Sequence, residues 1–346
     1  MNNVKAYAAH SAQTPLGPHT IRRRTLAEGD VHIAIKYCGV CHTDIHFAHN
    51  DFGNTVYPVV PGHEIIGRVV AVGNDVNKFK QGDLVGVGVI VDSCHQCTPC
   101  AEGQEQFCEA GMTTAYNSPD PILGGVTYGG YSTDIVVDHR SVLSVSEQLD
   151  AKAAAPLLCA GITTYAPLKR FNVQSGDKVG IIGLGGLGHM GVKFAVAMGA
   201  HVVMITSSEK KAADAERLGA HEVLLSTDDE AMQKQANSFD LLLNTIPAEH
   251  DFSCYVNLLK INKTMIVVGI ASLKMHSSCL IFGQKQVVGS LIGGIPETQE
   301  MLDFCAEHNI TSDIELIDIK EINQAYERID RGDVIYRVVI DINSLR

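Results

Sequence analysis

The chain has 346 residues, of which 45% are hydrophobic and 19% are charged, and its formal net charge is -12. The length favours two domains over one core, and the acidic balance argues against binding a nucleic-acid backbone, which needs basic patches. No apolar run approaches the ~18 residues of a membrane span, and the first residues lack the apolar core of a signal peptide. We therefore predict a cytoplasmic protein, whose ten cysteines indicate metal binding or catalysis before disulfides.

The first 150 residues predict a β-rich domain, with strand-like runs at 31–37, 65–72, 84–91 and 132–137 separated by turn residues. Polar, Gly-rich connections at 38–44 and 61–64 carry cysteines and a histidine beside the first two runs. Thiolates and imidazoles in such places suit an open zinc site, because zinc takes sulfur and nitrogen ligands. A third candidate ligand, Cys159, lies far downstream, so the fold has to return to this site.

A cysteine quartet lies between these runs. Cys94, Cys97 and Cys100 recur at a spacing of three residues, and Cys108 follows eight positions later. One loop can bring four such thiolates to about 2.3 Å from one ion, so the pattern predicts a closed, structural zinc site. Paired disulfides or free thiols are the alternative, which a reducing compartment disfavours.

The pattern changes near residue 150. A helix start at 151–155 is broken by a proline, and an apolar strand at 178–182 then leads into Gly183-Leu184-Gly185-Gly186-Leu187-Gly188 and a helix at 189–198. Strand, glycine-rich turn and helix in this order predict dinucleotide binding. The glycines let the backbone approach a pyrophosphate, which the N-terminus of the helix attracts electrostatically.

Strands and helices continue to alternate after this turn, which predicts a doubly wound parallel sheet and an α/β fold. The predicted strands are 201–206, 222–225, 239–245, 264–270 and 287–292, and the predicted helices between them are 210–218 and 252–260. The tail predicts helices at 297–308 and 322–330 and a strand at 336–340. Spacing alone leaves open whether this tail folds back onto the first domain.

The end of the second strand of this domain selects the cofactor. An acidic residue there would hydrogen-bond the ribose 2′-OH of NAD, whereas this strand ends in Thr206-Ser207-Ser208-Glu209-Lys210-Lys211. Hydroxyls and cations fit a 2′-phosphate better, so the prediction is NADP(H). Glu209 opposes this interpretation from three positions beyond the strand, and Ser208 can also serve as an ordinary helix cap.

Five motifs together resemble the zinc-dependent medium-chain dehydrogenase/reductase family, nearest to its cinnamyl alcohol dehydrogenase and bacterial aldehyde reductase branch. The motifs are Cys-Gly-Val-Cys-His-Thr-Asp at 38–44, Gly-His-Glu at 62–64, the cysteine quartet, Cys-Ala-Gly at 159–161 and Gly-Leu-Gly-Gly-Leu-Gly-His at 183–189. The resemblance implies a GroES-like catalytic domain over 1–150, completed by about 296–346. It implies a Rossmann NADP-binding domain over 151–295.

The resemblance also implies roles for single residues. Cys41, His63 and Cys159 match the catalytic zinc ligands of the family. Glu64 matches a residue that can approach the metal when substrate is absent. Asp44 resembles the carboxylate that orients an imidazole ligand.

Proton transfer and cofactor binding are implied in the same way. Thr43 and His46 match a proton relay to solvent, and Thr163 and Ser290 match residues at the nicotinamide end. The remaining implied cofactor-binding residues are Gly183, Gly185, Gly186, Leu187, Gly188, Ser207, Ser208, Lys211 and Gly269. The implied enzyme holds two zinc ions per chain, uses NADP(H), interconverts primary alcohols and aldehydes, and forms a homodimer near residues 289–295.

One departure from the family concerns the substrate. Plant members of the branch place a Trp beside the substrate, whereas this chain has no Trp and a smaller stretch at 112–116. We therefore expect a broad aldehyde range rather than an aryl-specific pocket. Two other functions stay open. An NAD-dependent polyol or secondary-alcohol dehydrogenase is disfavoured by the missing acidic residue after Ile205, and a catalytically silent nucleotide-binding protein is disfavoured by the two sets of zinc ligands.

Overall fold

A computed structural model describes residues 2–346. The strands are β1 (Asn2–Ala8), β2 (Gly17–Arg23), β3 (Asp30–Val40), β4 (Ile65–Val72), β5 (Leu84–Val87), β6 (Ile90–Asp92), β7 (Thr113–Thr114), β8 (Asp134–Asp138), β9 (Leu143–Ser144), β10 (Lys178–Ile182), β11 (His201–Thr206), β12 (Glu222–Leu225), β13 (Phe239–Asn244), β14 (His250–Asp251), β15 (Leu259–Val267), β16 (Leu273–Lys274), β17 (Gln286–Gly289), β18 (Ile314–Asp318) and β19 (Arg337–Asp341).

The helices are α1 (His42–His49), α2 (Thr98–Ala101), α3 (Ala151–Ala154), α4 (Ala160–Arg170), α5 (Gly188–Ala197), α6 (Ala212–Arg217), α7 (Asp229–Lys234), α8 (Ser253–Val256), α9 (Ser278–Ile281), α10 (Ile295–His308) and α11 (Ile322–Asp330). None of these helices, the longest of which has 14 residues, is long and apolar enough to cross a bilayer.

The chain forms two compact units. One contains the chain up to Ile162 together with Gly293–Arg346, and the other contains Thr163–Ile292. The first unit extends past residue 150 because the segment 151–158, which comprises α3 and a 3-10 turn, packs on β3, β4 and β5. Its apolar side chains, such as Leu157 and Leu158, are buried there. This packing keeps Cys159 in the first unit.

The first unit is organised around β3. The order of its main sheet is β18-β19-β3-β4-β5-β9, and β8 also pairs with β3. Val31, Ile33 and Ile35 alternate along β3 and are fully buried, as expected for strand residues that face one core. The C-terminal β19 pairs antiparallel with the end of β3, where Val338 lies opposite Val40. The tail therefore folds back onto the strand that leads into the 38–44 motif.

The second unit contains a parallel six-stranded sheet in the order β12-β11-β10-β13-β15-β17. Counted along the chain among the six strands of this sheet, the order is 3-2-1-4-5-6, the arrangement of a Rossmann sheet. The apolar runs of β10 and β11 are buried, which fits strands covered on both faces. The prediction of a doubly wound sheet beside a β-rich GroES-like domain is confirmed.

The predicted helix at 252–260 is wrong over its second half. The helix α8 ends at Val256, and β15 begins at Leu259. Leu259 lies opposite Phe239 in the sheet, and the carbonyl of Leu258 accepts hydrogen bonds from the N–H groups of Ser238 and Phe239. Sheet pairing therefore overrides a pattern that also suits a helix. The predicted helix at 210–218 likewise begins as a 3-10 turn at Glu209–Lys211.

Candidate active site

Four side chains from three segments converge in the first unit. Cys41 follows β3, His63 and Glu64 precede β4, and Cys159 follows the 3-10 turn after α3. One possible ligand atom from each lies within 4.8 Å of the others, and the sulfur atoms of Cys41 and Cys159 are 3.9 Å apart. Two sulfurs bound tetrahedrally at 2.3 Å would be about 3.8 Å apart, so this donor set fits zinc.

The electrostatics of this cluster favour a bound cation. A hydrogen bond from the Cys159 thiol, aided by the imidazole of His63, holds the pKa of Cys41 well below its usual value, although burial opposes the shift. Burial raises the pKa of Glu64 to about 7, while Arg337 opposes that rise. Arg337 already balances the carboxylate, and the lowered pKa of Cys41 favours its thiolate, the form that binds a metal ion.

Sequence reasoning missed Arg337, which forms a buried ion pair with Glu64. The other carboxylate oxygen of Glu64, Oε2, is buried and has no hydrogen-bond partner. Gly39 makes room for this arrangement, since a Cβ at that position would lie 1.9 Å from Glu64 Oε2. An arginine that begins an otherwise apolar strand, Arg337-Val338-Val339-Ile340, was the available signal.

Asp44 contacts both the segment that contains Cys41 and the segment that contains His63. It lies in the first turn of α1 and accepts the N–H of Cys41 at 2.9 Å through Oδ2. Its Oδ1 accepts the N–H of Gly62 at 3.0 Å and lies 3.2 Å from His63 Nδ1. A carboxylate on one ring nitrogen leaves the other nitrogen, Nε2, to bind the metal. The structure therefore brings the predicted orienting residue to the predicted ligand.

Thr43 and His46 lie on α1 beside this cluster. The Thr43 hydroxyl is 3.7 Å from the sulfur of Cys41. The half-exposed His46 contacts Asp51 through Nδ1 at 2.7 Å, a partner that the sequence analysis did not identify. Thr43 thus lies beside a candidate metal ligand, and His46 lies on the same helix with its side chain half exposed.

The cysteine quartet forms a second cluster in the same unit. One sulfur from each of Cys94, Cys97, Cys100 and Cys108 lies within 4.8 Å of the others. The sulfur atoms of Cys94 and Cys100 are 3.9 Å apart, again close to the spacing of two sulfurs on one zinc ion. Four cysteines with no further ligand from elsewhere fit a closed, structural site.

Backbone N–H groups surround the sulfurs of this loop. The N–H of Cys94 donates to Cys108 Sγ at 3.4 Å, and the N–H of Cys97 donates to Cys94 Sγ at 3.4 Å. The N–H of Glu109 donates to Cys97 Sγ at 3.5 Å. Hydrogen bonds from Gln96 and Cys97 lower the pKa of Cys94 to about 6. Burial raises the pKa of Cys100 to about 12, so without a metal the loop favours the thiolate at Cys94 and not at every cysteine.

The glycine-rich turn in the second unit connects β10 to α5. Gly183 has a positive φ of 91°, and a Cβ at Gly188 would lie 1.9 Å from the carbonyl oxygen of Gly183. A Cβ at the exposed Gly185 would meet nothing within 4 Å, so the outer side of the turn is open. With Gly186 and Leu187 completing it, the turn has the shape that lets a pyrophosphate approach a helix N-terminus.

The cofactor-selecting residues follow β11 at the same edge of the sheet. Ser207 is exposed, Ser208 is half-buried, and the ammonium group of Lys211 donates to the carbonyl of Leu184 at 2.8 Å. This contact holds a positive charge against the glycine-rich turn, close to where a dinucleotide would lie. The neighbouring Lys210 is exposed.

The remaining predicted cofactor residues lie in the same unit. Gly269 follows β15 and Ser290 follows β17, so both share the carboxyl edge of the sheet with the glycine-rich turn. This edge is where parallel sheets bind nucleotides. Thr163 lies instead in α4 and is buried.

Comparison with known families and proteins agrees with this geometry. Residues 27–147 match the alcohol dehydrogenase GroES-like domain, and residues 186–307 match the zinc-binding dehydrogenase family. The chain is 53% identical to the aldehyde reductase YahK of Escherichia coli (strain K12) over 99% of both chains. It is 50% identical to the NADP-dependent alcohol dehydrogenase C 1 of Mycolicibacterium smegmatis (strain ATCC 700084 / mc(2)155) over the full length of both.

A solved structure also resembles the chain over nearly its whole length. Cinnamyl alcohol dehydrogenase SbCAD4 from Sorghum bicolor superposes with a TM-score of 0.95, at 42% identity, covering 99% of this chain and 98% of that one. These three proteins are 42–53% identical to the chain over 99–100% of its length. The chain belongs to the zinc-dependent medium-chain alcohol dehydrogenase family.

Proposed function

We propose that the chain is an NADPH-dependent aldehyde reductase that also oxidises primary alcohols in the reverse direction. The observation that carries this proposal is the convergence of Cys41, His63 and Cys159 with the Thr43 hydroxyl beside them. The names of the two full-length relatives, an aldehyde reductase and an NADP-dependent alcohol dehydrogenase, support the same reaction.

The ligand set defines the chemistry. Zinc held by Cys41, His63 and Cys159 supplies Lewis-acid polarisation of the aldehyde carbonyl, and bound NADPH supplies the hydride. Asp44 holds the imidazole of His63 in the orientation that binds metal. Arg337 neutralises Glu64, which would otherwise add an unpaired negative charge to the site.

Proton delivery falls to Thr43 and His46. The Thr43 hydroxyl donates the proton that the aldehyde oxygen gains, and it accepts that proton back during alcohol oxidation. His46 exchanges protons with solvent at the outer end of the relay. Its contact with Asp51 through Nδ1 leaves Nε2 for that exchange.

Replacing Thr43 with alanine should lower kcat by about 10²–10⁴-fold, the usual contribution of general acid–base catalysis. Affinity for NADPH should stay nearly unchanged. Thr43→Ser, which keeps the hydroxyl, is the matched control and should retain most of the activity. His46→Ala should cost less than Thr43→Ala, because water can replace the outer end of a relay. Steady-state kinetics across pH test this order, and unaltered turnover in Thr43→Ala would remove Thr43 from the mechanism.

Preference for NADPH follows from the residues after β11. The 2′-phosphate carries nearly two negative charges. The hydroxyls of Ser207 and Ser208 can donate to it, and the ammonium group of Lys211 already lies against the glycine-rich turn. Lys210 and Lys211 diverge as neighbours on a helical turn, so only one of them can face the phosphate.

Replacing Ser207 with aspartate should reverse the cofactor preference, because a carboxylate repels the phosphate and accepts a bond from the NAD hydroxyl. A charge-assisted contact changes affinity by about ten- to a hundredfold, so Lys211→Ala should weaken NADPH by that factor and spare NADH. Lys210→Ala is the matched control and should change neither. The values of kcat/KM with both cofactors test this. Equal use of NADH and NADPH by the wild-type protein would contradict our assignment of Ser207 and Lys211.

The substrate range should be broad. The chain has no Trp, and the aromatic ring beside the ligand His63 is that of Tyr116, with ring centroids 5.9 Å apart. A panel of aliphatic, aryl and cinnamyl aldehydes, each assayed with NADPH and NADH, is the decisive experiment. Reduction of several classes with NADPH supports the proposal. Activity only toward polyols or secondary alcohols with NAD would favour the rival enzyme, and no turnover would favour a silent binding protein.

We also propose that the enzyme is a cytoplasmic homodimer. The strand β17 is the last in the sheet of the second unit, so its outer backbone groups can pair with a second copy. Leu291, just beyond it, is exposed. None of the ten cysteines in the described residues forms a disulfide, which suits a reducing compartment. Sedimentation equilibrium tests the dimer, and a monomer at micromolar concentration would exclude it.

A further inference from the structure

Asp44 is a fully buried carboxylate. Among the described residues, its hydrogen-bond partners do not include an arginine or a lysine. Its Oδ1 faces the N–H of Gly62 and the imidazole of His63, and its Oδ2 accepts from the N–H of Cys41. An ionised carboxylate has about four acceptor positions. Three partners leave one position on Oδ2 to be filled, since an unsatisfied buried acceptor is costly.

The phenol of Tyr116, which also interacts with the charge of Asp44, has a buried hydroxyl without a hydrogen-bond partner among the described residues, so the donor at that position is Tyr131. Its ring is fully buried, and its hydroxyl lies 3.4 Å from Asp44 Oδ2. The backbone of Tyr131 is fixed next to the metal-binding segment, because its N–H donates to the carbonyl of Pro61 at 3.0 Å. The ring also packs against Gly62, where a Cβ would lie 2.7 Å from Tyr131 Cδ1. Tyr131 therefore packs against the segment that contains His63.

Tyr326 extends this contact by one residue. It lies on α11, which comes from the C-terminal part of the first unit, and it is buried. Its hydroxyl lies 3.4 Å from the hydroxyl of Tyr131 and donates to it. The order of donors is then Tyr326 to Tyr131 to Asp44, and Asp44 in turn contacts His63.

Both tyrosines remain hydrogen-bond donors at neutral pH. Burial, followed by the negative charge of Asp44, raises the pKa of Tyr131 and of Tyr326 well above the usual value. A neutral phenol donates to a carboxylate without adding charge. Hydrogen-bonded chains in a buried site strengthen each member, so the outer hydroxyl contributes through the inner one.

We infer that Tyr131 and Tyr326 are positioning residues for the catalytic metal: their hydroxyls form a chain that ends on Asp44 and holds it against His63. This inference rests on the proposed function, in which His63 is a zinc ligand. The hydroxyl of Tyr131 contacts Asp44, and that of Tyr326 contacts Tyr131. Their effect reaches the metal through Asp44, whose counterparts beside other metal sites usually change metal affinity by about 10–100-fold when mutated.

The test is zinc release from the holoenzyme to the chromophoric chelator 4-(2-pyridylazo)resorcinol. The release phase that is missing in Cys41→Ala identifies the catalytic zinc. Tyr131→Phe should release that zinc about tenfold faster than wild type, at the low end of the usual range. Tyr326→Phe should release it about fivefold faster, as expected for one neutral hydrogen bond. Release from the cysteine quartet should be unchanged in both variants and reports on intact folding.

The double variant separates a hydrogen-bonded chain from loosened packing. If Tyr326 acts only through Tyr131, Tyr131→Phe/Tyr326→Phe should release zinc no faster than Tyr131→Phe. Tyr57→Phe is the matched control, because its hydroxyl donates to the carbonyl of Ala48 on α1 at 2.9 Å without contacting Asp44. It should behave as wild type. If Tyr131→Phe does not fold, Tyr326→Phe alone still tests the inference.

Two results would overturn the inference. Unchanged release in both single variants would show that the hydroxyls do not support the metal site. An effect of Tyr326→Phe that persists in full on the Tyr131→Phe background would show that Tyr326 acts by another route. Metal release is measured without turnover. A wild-type protein that failed to reduce aldehydes would therefore contradict the proposed function and leave this measurement valid.

Discussion

Replacing Cys41 with alanine should abolish turnover and leave the fold intact. The variant keeps His63 and Cys159, but a catalytic zinc site in this family needs all three ligands, so zinc content should fall from two ions to one per chain. Asp44 still accepts the N–H of residue 41, because that hydrogen bond uses the backbone. The helix α1 therefore keeps its first turn. Elemental analysis, circular dichroism and aldehyde reduction together test this expectation.

The matched control is Cys254→Ala, which removes an exposed thiol in the second unit that belongs to neither cluster. It should keep two zinc ions and full activity. Full turnover by Cys41→Ala with a single zinc would mean that the reaction does not use this cluster. One zinc ion per chain in a fully active wild-type protein would contradict the two-site assignment itself.

Replacing Cys97 with alanine should lower the free energy of unfolding. The kcat of the molecules that remain folded should change little. Three remaining thiolates close the loop poorly, and the free energy of zinc binding contributes directly to folding. The loss of a metal belongs to the changes that cost about 3 kcal/mol or more. For a domain of 150–250 residues, that corresponds to a fall in Tm of roughly 6–12 °C.

Calorimetry, zinc analysis and kcat of the folded fraction separate this outcome from the first prediction. Cys97→Ala should lose one zinc but retain most of its kcat at low temperature, whereas Cys41→Ala should lose kcat and show the smaller fall in Tm. Cys254→Ala again serves as the control for removing a thiol. An unchanged Tm in Cys97→Ala, with the second zinc absent, would show that this loop does not depend on metal.

Sequence reasoning succeeded where a function is encoded locally. The four cysteines at 94–108 and the glycines at 183–188 each lie within one short segment, so spacing alone predicted what they would form. Cys159 was different. Its pairing with Cys41 spans 118 residues, and no local pattern reports such a contact. The sequence named Cys159 as a candidate third ligand, and the resemblance of five motifs in order to a known family assigned it to the same site as Cys41.

The residues that sequence reasoning missed have a common cause. Arg337, Tyr131 and Tyr326 act through contacts with distant residues, and each is an ordinary member of a strand, loop or helix when its own segment is considered alone. Tyr326 is apolar enough to pass for a core residue of the amphipathic helix α11, where it is indeed buried. Only the three-dimensional structure reveals that its hydroxyl continues toward Asp44.

The same limit explains the error at residues 252–260. Apolar residues at 252, 255, 256 and 259 have the spacing of one helix face. The register between β13 and β15 nevertheless sets Leu259 opposite Phe239. The pairing of a strand in a buried sheet stabilises the structure more than local helix propensity does. The short, continuous apolar runs of β10, β11 and β12 have the predicted bounds, whereas the predictions 264–270 and 287–292 extend three residues beyond the ends of β15 and β17.

The ion pair between Arg337 and Glu64 has a consequence for biosynthesis, since its two members are 273 residues apart. At about 5–20 residues per second, the ribosome adds Arg337 roughly 14–55 s after Glu64. During that interval β3 lacks its neighbour β19, and Glu64 lacks its counter-ion. The cysteine quartet lies within one short segment and can bind zinc as soon as it leaves the ribosome. The structural metal should therefore bind during translation and the catalytic metal after it, so stalled nascent chains that expose the quartet should carry one zinc ion and gain the second only after release.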